Sequence, residues 1–338
     1  MDAITTAIIN FTVTPPSIKN DTLSTGKREA YFGEIYIYAI ITAITLITNL
    51  IMLCFLIFVR KLHSMSNWIL CSMFCTGLIY GLTYLLPRWV LFVPLKLHLS
   101  YACQILPLVG SALVVNFNLH LVLVSIDRYC CVLYPFQYNM ARAPIITRCA
   151  IVFVWLISFF MASIPLFTFL VPKIGICGIQ LNSRSFHIYT LVTFILLFYL
   201  PLFILCIVYT RILWIVNIHT QRRDQILARH ESVPTSIVRR NLRAITYMMI
   251  LIGLFMIFWL PTMIHYLVLF PTIHLGIDDR AIVIGKIVRY ISLAYPAINP
   301  LLYAYFTPCI RSEIYRIFAR TLCTNAYKNN RSVWPEYS

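Results

Sequence analysis

Ionisable side chains are scarce in this chain, so those inside or at the edge of apolar runs need a chemical reason. One such group is Ser125-Ile126-Asp127-Arg128-Tyr129, an acid beside a base at the end of a long apolar stretch. A charge at a lipid edge is costly unless paired or hydrated. A local Asp127–Arg128 pair answers that cost and holds Arg128 until another partner displaces it. For the triplet alone, ordinary interfacial charges at a helix end are the plainer alternative. A second group is basic: Arg88, Lys286 and Arg289 lie in apolar runs, with His265 and Tyr266 near the end of another. Lys286 and Arg289 are three residues apart and share a helix face. Cations so placed suit an anionic ligand group paired with Arg289; side chains that snorkel to headgroups are the competing explanation. A third group is conformational. Asn299-Pro300-Leu301-Leu302-Tyr303, Phe255 with Phe258-Trp259-Leu260-Pro261, and Pro201 with Tyr209 eight residues on all set a proline near an aromatic ring. Proline removes a helix donor and frees a carbonyl, which lets the helix bend there. Catalytic motifs are missing from the sequence: it has no HExxH, no GxSxG, no paired carboxylates and no metal-spaced CxxC pairs.

The elements that carry these residues are set by hydropathy. Of 338 residues, 60% are hydrophobic and 11% charged, whereas soluble domains carry about 25% charged residues. Seven apolar stretches run at Ile35–Val59, Trp68–Val93, Tyr101–Leu133, Cys149–Val171, His187–Ile218, Leu242–Phe270 and Ala281–Phe306. Each is near or above the roughly 20 residues that span a bilayer. The third, fifth and sixth are longer and should tilt or extend beyond the lipid. The second is interrupted near its end by Pro87 and Arg88. The expected fold is an all-α membrane bundle of seven helices at residues 35–306. An outer segment, 1–34, precedes it, and an inner amphipathic helix and tail, 307–338, follow. No repeated halves of the transporter kind are evident. Most cysteines (Cys54, Cys71, Cys75, Cys130, Cys131, Cys149, Cys206) sit in apolar runs as small packing residues.

The formal net charge of +16 raises a nucleic-acid reading, which the arrangement of the charge opposes. With the N-terminus outside, the inner loops and tail hold 17 of the 27 Lys and Arg residues, against 10 outside. That asymmetry is the membrane orientation signal and gives contact with an anionic inner leaflet. No charged n-region precedes a short apolar core, so the first apolar run is expected to serve as the targeting signal. The sequons at Asn10 and Asn20 then lie outside, where glycosylation occurs, and the one at Asn330 lies inside. After Tyr303, residues Pro308–Arg320 put Ile310, Ile314, Ile317 and Phe318 on one face, as in a helix lying on a membrane. Cys323 follows as a palmitoylation candidate.

Taken in order along the seven runs, these motifs resemble the rhodopsin-like (class A) G-protein-coupled receptors. Asp127-Arg128-Tyr129 with Pro135 resembles that family's DRY signature. Asn299-Pro300 to Tyr303 resembles its NPxxY, and Phe255 to Pro261 its FxxCWxP, with Phe258 for the cysteine. Asn49, Trp155 and Pro201 stand in matching runs. The resemblance covers about residues 35 to 321. It implies activation of a heterotrimeric G protein by an extracellular ligand. Opening of the sixth helix would expose Arg128, Tyr209 and Tyr303, with a basic third loop flanking that cleft. It also implies a disulfide between Cys103, at the start of the third run, and Cys177 in the second outer loop, on the side where disulfides persist. The tail has few Ser and Thr residues and leaves arrestin coupling open.

Departures from the family narrow the expectation. Gly77 stands where an aspartate is usual, Phe117 where the third helix is polar, and Tyr295-Pro296 precede Asn299 without a sodium-site pattern. No sodium pocket and no cofactor are expected. Asn118 replaces an aliphatic contact for Pro201 and Phe255, and in lipid its amide must find a partner. Amine receptors carry an aspartate seven residues after the third-helix cysteine, where this chain has Gly110 followed by Ser111, two candidate ligand contacts. Opsins carry a lysine where this chain has Leu293. An amine counter-ion and a retinal linkage are both missing. The rivals are a constitutively active or silent receptor, a transporter or channel, which would need membrane carboxylates or a polar pore, and a membrane enzyme.

Overall fold

The computed structural model describes residues 25–63, 65–91, 100–133, 143–168, 184–201, 203–211, 214, 218, 250, 253–265, 279–307 and 310–316, some of them by backbone alone. They form helices α1 (Thr25–Phe58), α2 (Met65–Tyr80, continuing in the wider i→i+5 winding over Gly81–Leu91), α3 (Ser100–Leu133) and α4 (Ala143–Thr168). Next come α5 (Arg184–Phe194, wide over Ile195–Tyr199, then 200–201 and 203–211), α6 (Gly253–His265), α7 (Asp279–Phe306) and α8 (310–316). Asn10, Asn20, Cys177, Tyr266 and Cys323 lie outside the described residues, as do the side chains of Cys103 and Arg128.

Gly33–Phe58, Asn67–Leu91, Ile105–Asp127 and Pro144–Pro165 are each long and apolar enough to cross a membrane. The helix α1 runs back to Thr25, ten residues before the apolar run at Ile35, because Lys27, Arg28, Glu29 and Ala30 are good helix formers that need no lipid. The interruption at Pro87 and Arg88 is absorbed by the wide winding, which accommodates one extra residue without ending the helix. At 34 residues, α3 is about 51 Å long, well beyond a hydrocarbon layer of about 30 Å. It packs on α2 and α4, while α1 packs on α2 and α7. Phe153, Leu156 and Phe160 on α4 stay exposed, as lipid-facing side chains do.

Polar donors inside the bundle bond in two ways. Thr42, Thr45 and Thr48 donate to carbonyls of their own helix at 2.7, 2.8 and 2.8 Å. Others donate to a neighbouring helix, and three of these choose the carbonyl four residues before a proline. Asn49 Nδ2 donates to Pro296 at 2.9 Å, ahead of Pro300. Asn118 Nδ2 donates to Leu197 at 2.6 Å, ahead of Pro201. Tyr189 Oη donates to Met161 at 2.6 Å, ahead of Pro165. In the α winding around Met161 and Pro296 that carbonyl takes its bond from the residue four ahead, and proline has no N–H to give. A neighbour's side chain supplies the missing donor, as a lipid environment requires. The role of Trp155 is also visible. Its indole N–H donates to Ser72 Oγ at 2.9 Å, and Ser72 is 2.8 Å from His120 Nε2. His120 Nδ1 is 2.9 Å from the Asn116 carbonyl. A neutral ring that donates from Nδ1 and accepts at Nε2 satisfies both contacts, so α2, α3 and α4 meet in one buried node.

Candidate functional site

At the Arg88 end of the bundle, aromatic rings and cations interleave between α1, α2 and α7. The wide winding of α2 buries Arg88 and sets Trp89 beside it. Tyr38 from α1 stacks on Trp89 at 4.5 Å between centroids, and Tyr290 from α7 packs on Tyr38 at 5.0 Å. The guanidinium of Arg289 lies 5.2 Å from the Trp89 centroid and that of Arg88 lies 5.9 Å from it. Cation–π contacts of this kind contribute about 0.5–2 kcal/mol, more as they are desolvated. Lys286 and Arg289 share a face but part company. Lys286 Nζ pairs with Glu34 at 2.5 Å across the α1–α7 seam, whereas Arg289 turns to the indole. No carboxylate pairs with Arg289 among the described residues.

Gly110 has a structural reason. A Cβ there would come within 2.5 Å of the Tyr84 ring, so Tyr84 lies directly on the α3 backbone. Ser111, next to it, is exposed and donates to Leu108 of its own helix at 2.8 Å, away from the cluster. His265 is half-buried at the end of the described part of α6. The structure thus brings together Arg88 and Arg289, sets Gly110 nearby under Tyr84, and leaves Ser111 outside. Sequence reasoning missed Glu34, Tyr38, Tyr84, Trp89 and Tyr290. Their signal was aromatic residues one helical turn apart on α2 (Tyr80, Tyr84) and an acid at the head of the first apolar run.

Below this cluster the middle of the bundle is filled by rings. Tyr295 is fully buried, and its centroid is 5.7 Å from Phe117, 5.1 Å from Phe255 and 5.7 Å from Phe258. Phe255 in turn packs on Trp259 at 6.2 Å. A cavity of about 10 Å³ remains between Tyr80, Leu113, Phe117, Phe255, Trp259 and Pro296, at the lower limit for one water. Tyr295 Oη donates to Asn299 Oδ1 at 3.3 Å. Toward the Asp127 end, Tyr209 and Tyr303 are both buried in the core cluster, and Phe74 meets Tyr303 edge-on at 6.1 Å. Asp127 is buried at the end of α3. Ile310 of α8 is buried and Ile314 packs against the same cluster, with Arg311 exposed, which gives that helix the amphipathic character read from its sequence.

The description "7 transmembrane receptor (rhodopsin family)" matches residues 48–303, most of the chain. The chain belongs to this receptor family. The histamine H2 receptor of Rattus norvegicus is 27% identical over 300 residues, which cover 84% of this chain and 80% of that protein. That of Homo sapiens is 27% identical over 310 residues, 87% of this chain and 82% of the relative. The trace amine-associated receptor 7h of Rattus norvegicus is 26% identical over 294 residues, 79% and 76% of the two chains. The receptor is therefore a multi-pass, seven-helix membrane protein of a signalling family and not an enzyme.

The middle of this receptor does not fit the family's sodium ion. At Gly77 a Cβ would lie 2.2 Å from Asn49 Oδ1, so the Asn49 amide occupies the space of the absent aspartate side chain. Phe117 and Tyr295 fill the other expected positions with aromatic rings that pack on each other, and the Tyr295 hydroxyl is turned to Asn299. Among the described residues no group of His, Cys, Asp or Glu could hold a metal ion. Among the described residues, Cys54, Cys71, Cys75, Cys149 and Cys206 are free thiols. Replacing sodium by choline at constant ionic strength should leave the receptor's melting temperature unchanged; a sodium-dependent rise would place an ion where the rings now stand.

Proposed function

We propose that this receptor sits in the plasma membrane with its N-terminus outside, binds an extracellular ligand bearing an anionic group, and activates a heterotrimeric G protein. The observation that carries the ligand half is Arg289, a half-buried cation held against Trp89 with no carboxylate partner among the described residues. A guanidinium so placed suits a carboxylate or phosphate, which it grips by two parallel bonds, and the rings around it suit an apolar ligand body. The transducer half rests on Asp127, Arg128 and Tyr129 at the end of α3, with Tyr209 and Asn299 to Tyr303 on the helices beside it. Membrane lipids contact α8. The Cys103–Cys177 bond, glycans at Asn10 and Asn20 and a palmitate on Cys323 belong to the same reading.

An amine ligand is the second reading, because the relatives named above are histamine and trace amine-associated receptors. Gly110 under the Tyr84 ring argues against it: the expected anchor is missing and its space is taken.

The test is nucleotide exchange on a panel of G proteins, with receptor in nanodiscs and a library of small acids, acidic peptides and amines. Acidic compounds should stimulate exchange, and Arg289→Ala should lower their potency at least about ten-fold, since a hydrogen bond to a charged group contributes about 1.5–3 kcal/mol. Arg128→Ala should abolish the response. Unchanged potency in Arg289→Ala would end the anionic reading. Ligand-free exchange that Arg128→Ala removes would mark a constitutive receptor, and no exchange with any partner a silent one.

A further inference from the structure

Glu34 stands one residue into the membrane-length segment of α1 that begins at Gly33. Glu34 and Tyr38 are four residues apart on α1, and Lys286 is three from Arg289 and four from Tyr290 on α7; such spacings share a helix face. The rings of Tyr38 and Tyr290 pack at 5.0 Å. Both phenols lie within electrostatic reach of the Glu34 carboxylate and of the Arg289 guanidinium, so acid and guanidinium flank one ring pair. A carboxylate is gripped best by a guanidinium, through two parallel bonds. Glu34 instead takes the Lys286 ammonium at 2.5 Å, while Arg289 stays over Trp89. The Lys286 and Glu34 side chains are 42% and 30% exposed, and an ion pair that open to water contributes little. We propose that Glu34 is a built-in competitor for the ligand's anionic group: it occupies Lys286 in the free receptor and yields it when an oxyanion binds Arg289. The inference rests on the anionic reading above and adds a second cation to it.

The exchange follows from charge. Lys286 and Arg289 are about 4.5 Å apart along the α7 axis, three residues' rise, so one carboxylate or phosphate can bridge them. An oxyanion on Arg289 repels Glu34 across the Tyr38–Tyr290 pair, and the partly exposed Glu34 turns to water. Lys286 is then released to the incoming anion. The seat so formed selects an oxyanion with at least two free oxygens, one for each cation.

Titration of the full-length receptor in phosphatidylcholine nanodiscs with 2-naphthoate tests this, with 2-naphthalenemethanol as the neutral control. The rise in melting temperature with concentration gives an apparent affinity. Glu34→Gln should bind 2-naphthoate about five-fold more tightly than the parent, the upper end of what an exposed ion pair contributes. Glu34→Asp keeps the charge but draws it back by one methylene, and should gain about two-fold. A gain confined to Glu34→Gln would be a field effect and would overturn the competitor. Adding Lys286→Gln to Glu34→Gln should erase the gain; a gain that survives means the ligand does not take the freed ammonium, and overturns it too. Without ligand, both Glu34 variants should melt within about 3 °C of the parent. A larger fall with no tighter binding would make the pair a structural staple between α1 and α7. Binding that is lost in Arg289→Ala but not tightened in Glu34→Gln overturns the competitor and leaves the anionic reading standing. Absence of any Arg289-dependent binding removes both.

Discussion

Gly77→Asp, which restores the residue usual in this family, is expected to abolish folded receptor at the cell surface. The new Cβ would meet Asn49 Oδ1 at 2.2 Å and Cγ at 2.6 Å, closer than non-bonded atoms approach. Asn49 cannot swing aside cheaply, because its Nδ2 already donates to Thr45 at 2.8 Å and to Pro296 at 2.9 Å. Moving it strands the Pro296 carbonyl in the bundle interior. The carboxylate then adds a buried charge with no described cation at its level, a further cost of several kcal/mol. Graded variants separate the terms. Gly77→Ala carries the overpacking alone and should cost about 1–3 kcal/mol. Asn49→Ala removes the obstacle at the expense of its hydrogen bonds, so the Gly77→Ala/Asn49→Ala pair should be more stable than the two losses added together. Thermal unfolding of detergent-solubilised receptor, with surface labelling, reads all four. A Gly77→Asp receptor that reaches the surface and melts like the parent would mean that the Asn49 amide does not occupy this space.

Gly110→Asp should likewise fail to create an amine receptor. The aspartate side chain would have to enter the Tyr84 ring, 2.5 Å from the ideal Cβ position. Tyr84 is itself held between Tyr80 at 5.2 Å and Trp89 at 6.5 Å, so displacing it unpacks the stack that presents Arg289. Overpacking and the loss of ring contacts together should exceed about 2 kcal/mol. Radiolabelled histamine should show no saturable binding to Gly110→Asp, and the melting temperature should fall. Pairing Gly110→Asp with Tyr84→Ala opens the space. That double variant should recover part of the stability, and it is the one in which an amine site becomes sterically possible. Histamine binding by Gly110→Asp alone, at parental stability, would show that Tyr84 is not the obstacle.

Much of this was legible in the sequence, and the rest was hidden for definable reasons. Hydropathy located the membrane runs, because a spanning helix must be apolar over its whole length. Its first run, at Ile35, lies close to Gly33, where the membrane-length apolar segment begins, while the helix itself extends back to Thr25. Asn49, Trp155, Pro201 and Tyr303 were recognisable from type and order alone. Gly77 and Gly110 were read as missing carboxylates. Their positive roles, admitting Asn49 and Tyr84, depend on which neighbour crosses at that level, and no spacing rule supplies that. Lys286 and Arg289 were correctly put on one face, yet Glu34 comes from a helix more than two hundred residues away in sequence. The partner of Asn118 was invisible for another reason: it is a backbone carbonyl, and side-chain patterns do not register those.

The three bonds to carbonyls ahead of prolines also bear on how this receptor changes by substitution. Tyr189 on α5 and Pro165 on α4 have no contact reason to be inherited together, yet the hydroxyl is useful mainly because the proline leaves Met161 open. Each such pair behaves as a linked locus. Losing the proline alone leaves a polar group whose acceptor already has a donor, and losing the polar group alone leaves bare backbone facing hydrocarbon. Drift should remove both members or neither, and proline-stripping aimed at a stiffer protein for crystallisation should treat residues 161, 165 and 189 as one unit.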